Sequence, residues 1–163
     1  MSAIVVLSIQ FTLSLIAFTL IARWHVAPRL ANRPLDAALI PLLWVQVFRF
    51  LPLALYAPGQ VDPRIPSDVA AAIGYGDLFS GVLALLALVW VKWRLPGALT
   101  LVWLFSAVGI GDLVYATAKA VHAHMYTFSM GWNWYILNFY VPLLVVSHVM
   151  IVDRLLRRPA RKE

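Results

Sequence analysis

Five apolar runs, at residues 3–22, 37–57, 69–91, 97–120 and 132–152, constrain this chain more than any other feature. Each is about 20 residues long, the length a helix needs to cross the roughly 30 Å hydrocarbon core of a bilayer. Successive residues within a run are apolar, rather than every second one, which excludes the alternating pattern of a membrane β-barrel. The backbone must then satisfy its own polar groups, and only a helix does that within one segment. The sequence therefore predicts an all-α bundle of five transmembrane helices in a single transmembrane domain. Composition agrees, with 63% hydrophobic and 12% charged residues in 163 and a mean hydropathy of +0.84, outside the range of a soluble domain.

The charges sort by side. Arg23, Arg29 and Arg33 follow the first run, Lys92 and Arg94 the third, and Arg154, Arg157, Arg158, Arg161 and Lys162 fill the tail. The opposite side receives only Arg64 and Lys119. Short cytoplasmic segments are enriched in Lys and Arg, so the N-terminus is expected outside and the C-terminus in the cytoplasm, as a multi-pass protein of a cell inner membrane. The same placement explains the net charge of +6 without nucleic acid as a partner. Membrane lipids are the expected partners, and the basic tail at 153–163 is read as lying on anionic headgroups or disordered. The first run has no basic segment before it, and Arg23-Trp24-His25 stands where a cleavage site would need small residues, so it reads as a retained helix. Trp24, Trp90, Trp93, Trp132 and Trp134 fall near the ends of runs, as interfacial aromatics do. There is no cysteine, hence no disulfide or thiolate chemistry.

Against this background Gly74-Tyr75-Gly76-Asp77-Leu78 puts a carboxylate inside the third run, and Gly109-Ile110-Gly111-Asp112-Leu113 repeats the pattern in the fourth. An ionisable group near the bilayer centre costs about 2.5 to 3.5 kcal/mol on insertion scales, and its default reading is a functional site with a partner. With a rise of 1.5 Å per residue, Asp77 lies about 4 to 5 Å, Asp112 about 6 Å and Arg49 about 3 Å to the outer side of the midplane. The three share a layer because the helices are antiparallel. Glycines one turn from each Asp allow helix backbones to approach closely. Arg49 supplies a planar donor fork for one or both carboxylates, leaving an excess of one negative charge, so one carboxyl is expected to hold a proton near neutral pH. Gln46, Tyr75, Tyr115 and Asn138 are candidate lining donors. His148 shares a face with Asn138 and is expected in the inner half of the last span as a hydrogen-bonded neutral imidazole. His122 and His124 offer two metal ligands in a loop, fewer than a metal site needs. Bis-histidine haem would need a second membrane-depth histidine, and no cofactor is assigned.

Gln46-Val47-Phe48-Arg49, the Gly76-Asp77-Leu78 run and Val141-Pro142-Leu143-Leu144 with His148 resemble a family of small bacterial polytopic membrane proteins, over most of the chain after residue 40. The resemblance implies a shared Gln/Arg, Asp and His framework and brings no reaction with it. The two G-x-G-D runs are also similar to those of the GxGD intramembrane aspartyl proteases, which implies catalytic roles for Asp77 and Asp112. The remainder departs from that pattern: the Tyr-Asp and Pro-Ala-Leu motifs are missing, five spans are few, and Arg49 would suppress a dyad sharing a proton.

The functional expectation is a site in the outer half of the bundle, made of Arg49, Asp77 and Asp112, that binds or conducts a proton, a cation or a small polar solute. Two other readings stay open, an intramembrane enzyme using Asp as acid or base on a lipid-soluble substrate, and a structural or accessory subunit whose ion cluster serves assembly. Five spans are few for a monomeric carrier, so a homo-oligomer is expected to go with the first.

Overall fold

The computed structural model describes residues 1–157. Arg158, Arg161 and Lys162, counted above on the basic side, lie outside the described residues. Among those described there is no strand, and five helices are long and apolar enough to cross a membrane: α1 Ala3–Ala31, α2 Leu35–Tyr56, α3 Ser67–Lys92, α4 Ala98–His122 and α5 Asn133–Leu156. The central element is α3, which packs along both α2 and α4. In turn α2 packs on α5, and α1 leans on α5 at the edge of the bundle with no residue of Ala3–Ile21 buried. Its exposed side, with Ile9, Leu13 and Ile16, suits hydrocarbon surroundings.

Two apolar clusters fill the interior. One includes Leu39, Leu43, Ala84, Val102, Phe105 and Ile151, toward the end that carries connections 32–34 and 93–97. The other includes Leu55, Ile65, Val69, Met125 and Met130, toward the end with connections 57–66 and 123–132. Between them lies a buried polar layer containing Gln46, Arg49, Asp77, Ser80, Ser106, Ser147 and His148.

Proline explains where the helices depart from regular α geometry. Its ring lacks an N–H and crowds the carbonyl four residues back. Ahead of Pro28 the chain widens into a π turn at Ala22–Val26, and ahead of Pro142 into another at Ile136–Tyr140. The offset is the same in both, and a widened turn lets the helix continue past the ring. Two carbonyls next to Pro28 also accept from side chains: Arg29 Nη1 donates to the His25 carbonyl (2.8 Å) and Arg154 Nη2 to the Ala27 carbonyl (3.1 Å). The first helix thus runs to Ala31 rather than ending near residue 22, because Pro28 bends the pattern without stopping it. Around Pro52 the response is the opposite, a tightening into the 3₁₀ segment Phe48–Tyr56.

The connections 57–66 and 123–132 lock together. Asp62 N donates to the Ser129 carbonyl (2.8 Å). Gly131 has φ +50°, and a Cβ there would collide with the Gln60 carbonyl oxygen, so this crossing requires glycine. Hydrogen bonds from the Arg64 side chain hold the Asp62 carboxyl down to about 2.

Candidate functional site

The 3₁₀ segment sets the site. With three residues per turn, side chains at i and i+3 eclipse, so Arg49, Pro52 and Leu55 line up on one buried face directed at the bundle interior. Arg49 is fully buried, the largest such side chain among the described residues. Close approach of α3 to this segment depends on Gly81, where a Cβ would come within 3.1 Å of the Val47 carbonyl oxygen and 3.5 Å of Arg49 Cβ.

One guanidinium joins three helices. Arg49 Nε donates to Asp77 Oδ1 on α3 (2.8 Å), Nη2 to Asp112 Oδ2 on α4 (2.6 Å) and Nη1 to the Gly109 carbonyl on α4 (3.0 Å). Ser80 Oγ donates to Asp112 Oδ2 (3.3 Å). Side-chain exposure is 0% for Arg49, 7% for Asp77 and 10% for Asp112. With both carboxylates ionised the knot carries one net negative charge. The other three pairs between helices or within connections, Arg94 with Asp36, Lys119 with Asp68 and Arg64 with Asp62, have at least one strongly exposed partner and lie near the bundle ends.

The two G-x-G-D-L runs are used differently. Gly76 leaves the space that Asp112 enters, and a Cβ there would run into Asp112 Oδ1. Its counterpart Gly111 has nothing within 4 Å. Gly109 faces the interior, where a Cβ would lie 2.9 Å from Arg49 Nη1 and 2.8 Å from His148 Cε1. Its counterpart Gly74 instead faces the Tyr56 ring, at 2.9 Å. The likeness of the runs thus places two carboxylates in one layer, but only the first run cradles the other's Asp.

The remaining candidates divide. Gln46 is buried beside the knot without joining it; Nε2 donates to Ser147 Oγ (2.8 Å) and to the Leu144 carbonyl (3.0 Å), tying α2 to α5. Asn138 is buried and donates to the Trp134 carbonyl (2.8 Å), within its own helix. Tyr75 and Tyr115 do not line the site: both are more than half exposed, and Tyr75 stacks on Tyr56 at the surface. Tyr75 is two residues from Asp77, which turns it to the far side of the helix. His148 departs from one expectation, that of a hydrogen-bonded imidazole. It lies in the later half of α5 (Asn133–Leu156), across Gly109 of α4 from Arg49. Its ring stacks on Phe105 (5.0 Å), and among the described residues neither nitrogen has a hydrogen-bond partner. His122 and His124 meet through the His124 Nδ1 and the His122 carbonyl (3.0 Å) rather than ring to ring.

Ser80 and the Gly109 carbonyl are the participants that sequence reasoning left out of the site. Ser80 was recognisable only as a small residue on the face of Asp77, and a backbone carbonyl has no sequence signature. Beside Asp77 lies a small chamber of about 60 Å³, lined also by Pro52, Met125, Met130 and Asn133. The buried Asn133 Nδ2 has no hydrogen-bond partner among the described residues.

These features define a five-helix bundle of membrane-spanning character built around a buried Arg/Asp/Asp knot. The chain belongs to the family described as Domain of unknown function (DUF8737), whose model matches residues 6–156. No curated relative and no solved structure matches it.

Proposed function

We propose that the knot is a proton site, and that the protein is a multi-pass inner-membrane protein whose activity depends on loading and unloading one proton there. The observation that carries this reading is the charge count: one buried guanidinium bonded to two carboxylates, that of Asp77 buried and that of Asp112 partly so. An unbalanced charge in low dielectric is costly, and a proton discharges it with the least rearrangement. The chamber beside Asp77 has room for a few water molecules and ends on a free amide donor, a hydrogen-bonded way in toward the connections 57–66 and 123–132. A bound cation or small polar solute would use the same acceptors. Arg49 bonds each carboxylate separately, which favours this reading over a protease dyad sharing one proton.

Vesicles containing the purified protein and an internal pH dye test the proposal. Wild type is expected to speed dissipation of an imposed pH gradient, and Asp112→Asn to abolish the effect while remaining folded. Unchanged dissipation in Asp112→Asn would remove the proton reading. A second reading, a clamp serving helix packing alone, is favoured by the full set of partners around Arg49.

The proposed orientation puts Arg64 and His124 outside and Arg29, Arg94 and Arg158 in the cytoplasm, from the charge asymmetry. Single cysteines introduced at these positions of a cysteine-free chain should react with a membrane-impermeant thiol reagent accordingly. Labelling of position 64 only from the cytoplasmic side would invert the topology and the direction of proton entry.

A further inference from the structure

The two carboxyl groups of the knot are held unequally. Asp112 Oδ2 accepts from Arg49 Nη2 (2.6 Å) and from Ser80 Oγ (3.3 Å), and Oδ1 fills the slot that Gly76 leaves. Asp77 accepts at Oδ1 alone, from Arg49 Nε (2.8 Å), and among the described residues no group donates to its Oδ2. Hydrogen bonds given to a carboxylate favour its charged form, and a short bond from a guanidinium is among the strongest. By this count Asp112 is the better-held anion.

Water reaches the two unequally as well. Asp77 lines the chamber of about 60 Å³, with Ile73 of α3, Ala120 of α4, and Met125 and Met130 from the connection 123–132. Asp112 is not among its walls. On α4 Asp112 is flanked by Gly111 and Tyr115, both exposed, on a side where a bilayer offers hydrocarbon and nothing to carry a proton. Around Asp77 stand Arg49 from α2, Asp112 from α4 and Tyr140 from α5; the Tyr140 hydroxyl donates to the Val45 carbonyl (2.6 Å) and leaves the carboxyl alone. Toward the other end of the bundle Leu43, Val102, Phe105 and Ile151 pack with no exposure.

From these observations we infer, on the proton reading above, that Asp77 is the carboxyl that loads and unloads the proton, at Oδ2 and through the chamber, while Asp112 stays ionised as the fixed counter-charge of Arg49. On unloading, the Oδ2–H bond breaks, the proton passes to a water oxygen in the chamber, and the electron pair stays on the carboxylate beside Arg49. Exchange in this arrangement is with the end that carries connections 57–66 and 123–132.

Infrared spectroscopy of the full chain in vesicles tests the assignment. Asparagine variants do not separate the two groups, because removing either carboxylate balances the charge of Arg49. Glutamate variants do: each keeps a carboxyl, and the added methylene changes the C=O frequency of whichever group bears the proton. Asp77→Glu is expected to move the carboxylic-acid band and Asp112→Glu to leave it in place. Ala120→Leu, which fills the chamber from α4, should slow the band's shift after transfer into D2O severalfold, whereas Ala107→Leu, at an exposed position of the same helix, should not. A band that moves in Asp112→Glu, or exchange at the wild-type rate in Ala120→Leu, would overturn the inference, and these two measurements decide it if Asp77→Glu does not fold. A wild-type spectrum with no such band would instead remove the proton reading itself, so the two failures are told apart.

Discussion

Replacing Arg49 by leucine is expected to cost the bundle about 3 to 5 kcal/mol, the penalty for stranding one side of a buried ion pair. Two carboxyls, on Asp77 and Asp112, would remain inside with no cation. They can stay buried only by taking up protons, which the unfolded chain releases at neutral pH. The folded variant then binds more protons than the unfolded one, so its stability falls as pH rises. Thermal unfolding in detergent from acid to alkaline pH should show the gap to wild type widening steadily. The double variant Arg49→Leu with Asp77→Asn removes a charge from each side and should recover much of the loss, since replacing a whole buried pair can be nearly neutral. Equal stability of wild type and Arg49→Leu at every pH would mean that the knot does not form. A double variant that folds yet leaves pH gradients intact separates working site from clamp.

The second large effect is expected from two glycines with the same place in the repeated run. Gly76→Ala drives a methyl group into the space held by Asp112, and overpacking of this kind costs about 1 to 3 kcal/mol. Displacing the carboxylate from Arg49 adds to it. Gly111→Ala meets nothing and should stabilise the helix by up to about 1 kcal/mol through propensity alone. Thermal midpoints should therefore move in opposite directions. Placed on an Asp112→Ala background, Gly76→Ala should lose most of its cost, because the colliding group is gone. Parallel shifts for the two glycines would show that the runs are used alike, against the asymmetric cradle described here.

How far this arrangement could be read in the sequence depended on which residues carried it. Apolar length alone is a strong constraint in a bilayer, so five helices followed from it. Intramembrane charges are rare and must find partners, so Arg49, Asp77 and Asp112 could be brought together by depth counting. The helix irregularities were less legible. Pro28 reads as a stop, whereas the π turn ahead of it carries α1 on to Ala31. The 3₁₀ segment did have a trace, the spacing of Gln46, Arg49, Pro52 and Leu55 at intervals of three, but the same residues fit a helix face well enough to hide it. Tyr75 and Tyr115 were misplaced because nearness in sequence to an aspartate says little about facing, and helix residues two apart point to different sides. His148 was expected to find a hydrogen-bond partner, and the stack on Phe105 beside an apolar cleft supplies none.

If the knot holds one exchangeable proton, infrared spectroscopy reads it on the carboxyl group itself. Among the described acidic residues, only Asp77 and Asp112 bond Arg49 in the layer between the apolar clusters. The purified protein should show a carboxylic-acid C=O band near neutral pH that shifts in D2O, titrates away at higher pH, and disappears in Asp77→Asn or Asp112→Asn. A spectrum with no such band, or one that keeps it unchanged in both variants, would mean that the knot holds no proton.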